Sequence, residues 1–200
     1  MTTVNDKVAV RERLVDTAAR LFYERGYNAT GINEVIKEAG VAKASFYHHF
    51  PTKEDLLVKC LEVRHDRMMG EIRTFVSQGS TTGQKIARVF EWLGGICGCS
   101  RSHGCAYLNM VSEFHDASSR VREFVRWHKK TFRSFLLELL SAHNLAAGVK
   151  GRKLNEEQLE EGADELYLLT EAVFASSPVH QCTWPSETAF RLANDRFGLV

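Results

Sequence analysis

The sequence has little proline, with three prolines among its 200 residues, at positions 51, 178 and 185. Proline interrupts the hydrogen bonding of a helix interior, so a chain with few prolines leaves room for long helices. Each of the three stands where the hydrophobic pattern predicts that a helix ends or begins. No segment alternates apolar and polar residues as a half-buried strand would. The sequence therefore predicts an all-α protein.

The sequence also lacks a long hydrophobic run. No stretch approaches the roughly 18 consecutive apolar residues of a membrane span, and the N-terminal residues do not resemble a signal peptide. The five cysteines are odd in number and are not spread like a disulfide framework, so we expect thiols in a reducing compartment. We therefore expect a cytoplasmic protein that does not contact a membrane.

Catalytic motifs and an excess of charge are missing as well. The sequence contains no phosphate-binding glycine loop, no HExxH motif and no nucleophile elbow, which argues against an enzyme and indicates no cofactor. The alternative class is an enzyme or metal-handling protein on a helical scaffold. The formal net charge is +1, which argues against coating nucleic acid without sequence preference. A net charge this small is still compatible with a small local surface that docks on DNA.

What the sequence does contain is a periodic hydrophobic pattern that predicts nine helices. The first covers about residues 7–25. The second is short, with Thr30 as its N-cap and Gly40 as its C-cap. The third covers about residues 43–50. Because the second and third helices are short and joined by a tight turn, they form a helix-turn-helix pattern.

Pro51 separates these three helices from the rest of the chain. Thr52 and Asp55 then resemble a capping box at the start of a long fourth helix. The later predicted helices cover about 86–96, 105–114, 121–139 and 156–176, with a last one from 186.

The stretch "GVAKASFYHHFPTKE", from Gly40 to Glu54, holds the third helix. Phe46 and Phe50 share the face that points inward. The opposite surface carries small and hydrogen-bonding side chains: Lys43, Ala44, Ser45, Tyr47, His48 and His49. Such a surface suits the major groove of DNA, although a solvated helix looks similar. The two adjacent histidines diverge by about 100° on a helix, so we expect no metal site there.

The run "LFYERGYNATGINEVIKEAGVAKASFYHHFPTKEDLL" resembles the N-terminal DNA-binding domain of TetR/AcrR-family transcriptional regulators over about residues 14–57. The resemblance implies a helix-turn-helix domain over 1–52 and a helical domain over 53–200 that binds a ligand and dimerises. It further implies a homodimeric repressor that binds a palindromic operator and is released by a small, mostly apolar effector.

Two residues depart from the family pattern. Ala42 stands where the family commonly has Ser or Thr, and Ala44 stands where it commonly has Gly. Ala42 cannot supply a hydroxyl cap, whereas the Ala44 methyl could touch a thymine methyl. The resemblance also implies which residues contact DNA: Thr30, Lys43, Ala44, Ser45, Tyr47, His48, His49 and Lys53. Among these, Thr30, Tyr47 and Lys53 are expected to bind phosphates.

The C-terminal helices are expected to serve dimerisation and effector binding, as the resemblance implies. The homodimer is expected to form through helices 8 and 9. The apolar positions along helix 8 are Leu159, Ala163, Leu166, Leu169, Thr170 and Val173, which could instead be a core stripe within one chain. The expected effector residues are Met68, Ile72, Trp92, Ile96, Cys105, Asn109, Met110, Glu113, Trp127, His128, Thr131 and Phe174.

The segment "CGCSRSHGC" places three thiols and an imidazole within nine residues, at Cys97, Cys99, His103 and Cys105. Three interpretations are open. The cluster could bind zinc or copper, although its spacing is not a common one. A thiol could sense oxidants or electrophiles with help from Arg101. The simplest interpretation is that the cysteines pack as small hydrophobic residues without a metal.

Overall fold

A computed structural model describes residues 4–97 and 104–200. Within these ranges the chain forms nine helices, and the only bridge is an isolated antiparallel one between Val149 and Arg152. The predicted all-α fold is confirmed. The helices are α1 (Val4–Arg25), α2 (Ile32–Ala39), α3 (Lys43–His49), α4 (Lys53–Ser77), α5 (Thr82–Cys97), α6 (Ala106–Glu113), α7 (Arg120–Ala146), α8 (Glu156–His180) and α9 (Trp184–Phe197).

Two predicted helix ends are wrong. The N-cap of α2 is Gly31 rather than Thr30, and no side chain caps it. The helix α8 does not end before Pro178 but continues through it to His180. Pro178 lies in the last turn, so the hydrogen bond that it cannot donate is lost only two residues before the helix ends. The start of α8 is well defined, because Asn155 and Gln158 form a capping box.

The chain divides into two compact units. Unit 1 comprises residues 1–67 and 106–126, and unit 2 comprises 68–105 and 127–200. Two of the three boundaries of unit 1 fall within helices, because α4 and α7 each contribute to both units, and the third lies at the start of α6. The predicted functional boundary between residues 52 and 53 stays a prediction.

In unit 1, α1 packs on both α2 and α3. Leu14, Leu21 and Phe46 have no exposed surface. Truncating a fully buried aromatic side chain such as Phe46 to alanine costs about 3–5 kcal/mol, so this small core depends on few residues.

In unit 2, α5, α8 and α9 pack around one hydrophobic core. Position 83 on α5 requires a glycine because the backbone of Leu199 packs closely against it. A Cβ at this position would lie 1.9 Å from the backbone oxygen of Leu199. Four predicted dimer positions of α8 are covered by the chain itself, and two of them, Leu166 and Val173, belong to this core. Ala163, Leu166, Thr170 and Val173 are all fully buried within the chain. Their prediction as dimer contacts is wrong, because helical periodicity identifies a buried face but not what buries it.

Candidate DNA-binding site

The turn between α2 and α3 has the backbone of a helix-turn-helix. Gly40 adopts a left-handed conformation with φ of +64° and ends α2. The N–H of Val41 donates to the carbonyl of Ile36 at 3.2 Å, which closes the turn. Glycine suits this position because a side chain disfavours positive φ.

The sides of α3 divide as the sequence predicts. Phe46 is fully buried and Phe50, at the C-cap, is 3% exposed. Lys43, Ala44, Tyr47 and His48 are exposed, while Ser45 and His49 are half-buried. Because α3 anchors through two phenylalanines, its opposite face is held rigidly and is free to meet a ligand. The Tyr47 ring packs edge-on against Phe46, with the two ring centres 5.1 Å apart.

Thr30 does not face outward. Its side chain is fully buried, and its hydroxyl donates to the carbonyl of Gly26 at 2.8 Å. A hydroxyl in this position closes the turn before α2 and is turned away from a phosphate. We therefore do not retain Thr30 as a phosphate contact.

Lys53, the first residue of α4, also points into unit 1. Its ammonium lies 3.9 Å from the centre of the Tyr27 ring and 2.5 Å from the Tyr27 carbonyl oxygen, to which it donates. Burial lowers the pKa of Lys53, against an opposing attraction to Glu113. The family resemblance implied a phosphate contact for this ammonium, and no local pattern in the sequence indicates its contact with Tyr27.

The start of α4 is well capped. The hydroxyl of Thr52 accepts the N–H of Asp55 at 3.0 Å, and the Asp55 carboxylate accepts the N–H of Thr52 at 3.1 Å. The predicted capping box is therefore confirmed. Asp55 also accepts from Arg120 at 2.7 Å. Hydrogen bonds from Thr52 and then from Arg120 lower the pKa of Asp55.

The predicted effector residues do not all lie in one unit. Asn109, Met110 and Glu113 belong to unit 1, and the other nine belong to unit 2. Met110 is buried against a small cavity of about 30 Å³, which has room for about one water molecule. Both carboxylate oxygens of Glu113 bind backbone N–H groups of unit 1, those of Tyr27 and Asn28. Glu113 is therefore engaged within unit 1 and does not orient an effector in unit 2.

In unit 2 the predicted effector residues differ in accessibility. Ile72, Trp92, Cys105 and His128 are buried. Trp92 also borders a groove of about 470 Å³ between α4 and α5. Trp127 and Ile96 are exposed. Met68 and Phe174 pack partly buried against the core, and the Thr131 hydroxyl donates to the carbonyl of Trp127.

A buried polar cluster joins α7 to α8 beside Cys105. Lys129 donates to both carboxylate oxygens of Glu171, at 2.6 Å and 2.8 Å, and its Nζ lies 3.5 Å from the Cys105 sulfur. Burial alone would lower the pKa of Lys129, but attraction to Cys105 and Glu171 outweighs it, and the pKa is raised. No sequence pattern indicates Lys129, because it lies beside the hydrophobic stripe of α7 rather than on it.

The surroundings of Cys97 and Cys105 help to interpret the segment "CGCSRSHGC". Cys99 and His103 lie outside the described residues, and Arg101 does as well. Cys97 is buried in the apolar core of unit 2, as the packing interpretation expects. Cys105 is buried too, but it has a charged neighbour and so is not in purely apolar surroundings.

Comparison with known proteins agrees with the helix-turn-helix. Residues 14–60 match the model of bacterial regulatory proteins of the tetR family. The uncharacterized HTH-type transcriptional regulator YxaF of Bacillus subtilis is 48% identical over 52 residues, which are 26% of this chain and 27% of that protein. The HTH-type transcriptional repressor NemR of Escherichia coli is 30% identical over 116 residues, or 56% of this chain and 57% of that protein. Both matches span less than two thirds of the relative.

The fold is similar over a longer span. The crystal structure of SCO4454, a TetR-family transcriptional regulator from Streptomyces coelicolor, superposes with a TM-score of 0.81. The superposition covers 94% of both chains at 23% identity, which shows the fold. Among the helices of residues 4–97 and 104–200, none combines the length and apolar character needed to cross a membrane. Residues 14–60 thus match the tetR family of bacterial regulatory proteins, and the family resemblance predicted from the sequence is confirmed.

Proposed function

We propose that the protein is a homodimeric transcriptional repressor, and not an enzyme, that binds a palindromic operator and is released by a small effector. The observation that carries this proposal is the exposed face of α3, where Lys43, Ala44, Tyr47 and His48 project from a helix anchored by Phe46. A short helix held this way can enter the major groove and read base edges. As a DNA-binding regulator, the protein acts in the cytoplasm.

Specific binding requires two copies of α3, because one short helix reads few base pairs. A surface suited to dimerisation lies on α8. We call it the outer stripe, and it comprises Leu168, Ala172, Ala175 and Val179. These residues are exposed and recur at i, i+4, i+7 and i+11, so they share one face of the helix. Leu168 is 65% exposed and Val179 is 76% exposed, which is unfavourable for apolar side chains in a monomer.

The helix α9 supplies a second exposed apolar group in Leu192, which is 46% exposed. We therefore retain the homodimer through α8 and α9 but assign it to their outward faces. The effector is proposed to bind in unit 2, which holds nine of the twelve predicted effector residues and where Trp92 borders the groove between α4 and α5. The Lys129–Glu171 pair adds a charged group that an effector with a polar end could meet.

Selection of bound fragments from a random DNA library tests the proposed function. We expect enrichment of a palindromic sequence whose half-sites lie about one helical turn apart, bound by two protein chains. Affinity for that sequence should fall steeply with salt, because phosphate contacts release counterions. Failure to enrich any sequence, or enrichment of a single half-site bound by one chain, would contradict the proposal.

A further inference from the structure

The turn between α1 and α2 is held by a residue that lies about 85 positions later in the chain. Gly26 follows the last residue of α1 with φ of +91°, and the next two backbone N–H groups donate to a side chain outside that helix. The N–H of Tyr27 donates to Oε1 of Glu113 at 2.8 Å, and the N–H of Asn28 donates to Oε2 at 2.7 Å. One carboxylate on α6 thus binds two successive N–H groups.

This arrangement favours an anion for a physical reason. Successive backbone N–H groups that point the same way form a concave site for negative charge, and hydrogen bonds to a carboxylate are stronger than those between neutral groups. The fit at Gly26 is close as well, because a Cβ there would come within 3.2 Å of Oε1 of Glu113. The Tyr27 ring also packs against Phe114, next to Glu113, at 4.9 Å.

Lys53 holds the same turn from the other side. The peptide group between Tyr27 and Asn28 donates its N–H to Glu113 and accepts Lys53 at its carbonyl oxygen. Both polar atoms of one peptide group are therefore engaged by oppositely charged side chains, one from α6 and one from the start of α4. The turn leads directly to Thr30 and α2, against which α3 packs.

We propose that Glu113 is a positioning residue for DNA binding: with Lys53, it fixes the turn before α2 and thereby sets the presentation of α3, without touching DNA. This inference rests on the proposed function of α3. It assigns α6 to the machinery that sets operator affinity, because α6 belongs to the same compact unit as α1, α2 and α3. A displacement of α6 would pull directly on the turn.

The proposal is tested by whether removing one negative charge weakens or strengthens DNA binding. Removing a negative charge from a DNA-binding protein ordinarily strengthens binding to the phosphate backbone. Glu113→Gln should do the opposite, because it replaces one acceptor oxygen by an NH₂ group that faces a backbone N–H. We expect binding of the selected operator to weaken about tenfold, within the range typical of coupling between sites. Glu123 is an exposed carboxylate of α7 in the same unit, and Glu123→Gln is the matched control. It should leave the affinity unchanged or raise it.

Salt dependence separates positioning from direct contact. If Lys53 bound a phosphate, Lys53→Met would reduce the slope of log affinity against log salt by about 1. As a positioning residue, Lys53 should give weaker binding with an unchanged slope, and Glu113→Gln should behave likewise. A reduced slope for Lys53→Met, or an affinity for Glu113→Gln equal to that of Glu123→Gln, would overturn the proposal.

Amide hydrogen exchange tests the clamp without DNA, so that its failure can be told from failure of the proposed function. Exchange at Tyr27 and Asn28 should be slow in the wild type and faster in Glu113→Gln, with unchanged exchange in the core of unit 2. Glu113→Asp retains the charge but is shorter, and it should show intermediate exchange and affinity if Glu113→Gln does not fold. Unchanged exchange at Tyr27 and Asn28 in a folded variant would refute the clamp even if the wild type binds its operator.

Discussion

The ammonium of Lys129 lies between the carboxylate of Glu171 and the sulfur of Cys105, at 2.6 Å from the nearer carboxylate oxygen and 3.5 Å from the sulfur. The side chains of Lys129 and Glu171 are only 13% and 18% exposed. Attraction between two charges is strong in such a site, but each charge loses hydration when it is buried. Each charge therefore compensates the other, and the pair as a whole contributes little net stabilisation.

Removing one partner should expose this compensation. Lys129→Met leaves the Glu171 carboxylate buried without its cation, and we expect the free energy of unfolding to fall by about 3 kcal/mol. Urea denaturation measures the change. In the double variant Lys129→Met, Glu171→Leu no charge is left uncompensated, and most of the loss should be recovered. If the two substitutions are additive in their cost, the pair is not coupled as the distances indicate.

Sequence preference should depend on His48 more than on Tyr47. His48 is exposed in the last turn of α3, on the face proposed to meet base edges in a major groove. We expect His48→Ala to lose about 1–3 kcal/mol of discrimination at one base pair in each half-site. Binding to a panel of single-base operator variants measures this. Tyr47→Phe removes only a hydroxyl expected at a phosphate, and it should weaken binding to every variant by a similar factor.

Dimerisation should depend on the outer stripe of α8. Leu168→Glu places a carboxylate in the proposed interface, and an unpaired buried charge costs about 3–5 kcal/mol, which is more than a hundredfold in the dimer dissociation constant. Analytical ultracentrifugation should show monomers, and operator binding should be lost. Leu145 on α7 is 81% exposed, so Leu145→Glu is a control with the same chemistry outside the stripe. A dimer that survives Leu168→Glu would place the interface elsewhere.

The contrast between Leu166 and Leu168 shows how far the sequence could predict this molecule. Helical periodicity located α8 and its most regular apolar stripe, but that stripe, which contains Leu166, packs inside the chain. Leu168, two residues further along, lies on the exposed face of the same helix. Spacing along one helix reports which residues share a face, and it does not report whether the same chain covers that face.

The fold of unit 1 was predicted more completely, because its features are local. The anchoring of α3 by Phe46 and Phe50, the turn at Gly40 and the capping box at Thr52 all follow from residues within a few positions of one another. The roles of Thr30, Lys53 and Glu113 depend instead on groups that folding brings together. The bond between Glu113 and Tyr27 joins residues 86 positions apart, and no local pattern in the sequence indicates it.

The stability of unit 1 at alkaline pH should depend on Cys60. Its sulfur lies 3.4 Å from the carbonyl oxygen of Val15, to which the thiol donates. Burial, and then the neighbouring charge of Asp16, raise the pKa of Cys60 to about 12. In the unfolded chain the pKa of a cysteine is about 8.5. Between these two values the unfolded state binds fewer protons than the folded state, so the free energy of unfolding falls as pH rises, by about 1.4 kcal/mol per pH unit from this group.

Cys60→Ala removes the titrating group, so the decline of the free energy of unfolding between about pH 9 and pH 11 should become shallower by that amount relative to the wild type. Denaturation with urea at a series of pH values measures it. Cys60→Ser is the matched comparison, since a serine does not titrate in this range but can still donate to the Val15 carbonyl. The two variants should differ in stability at neutral pH, because only one of them keeps the hydrogen bond, and they should show the same shallower slope. A slope in either variant as steep as in the wild type would mean that Cys60 ionises as readily in the folded protein as in the unfolded chain.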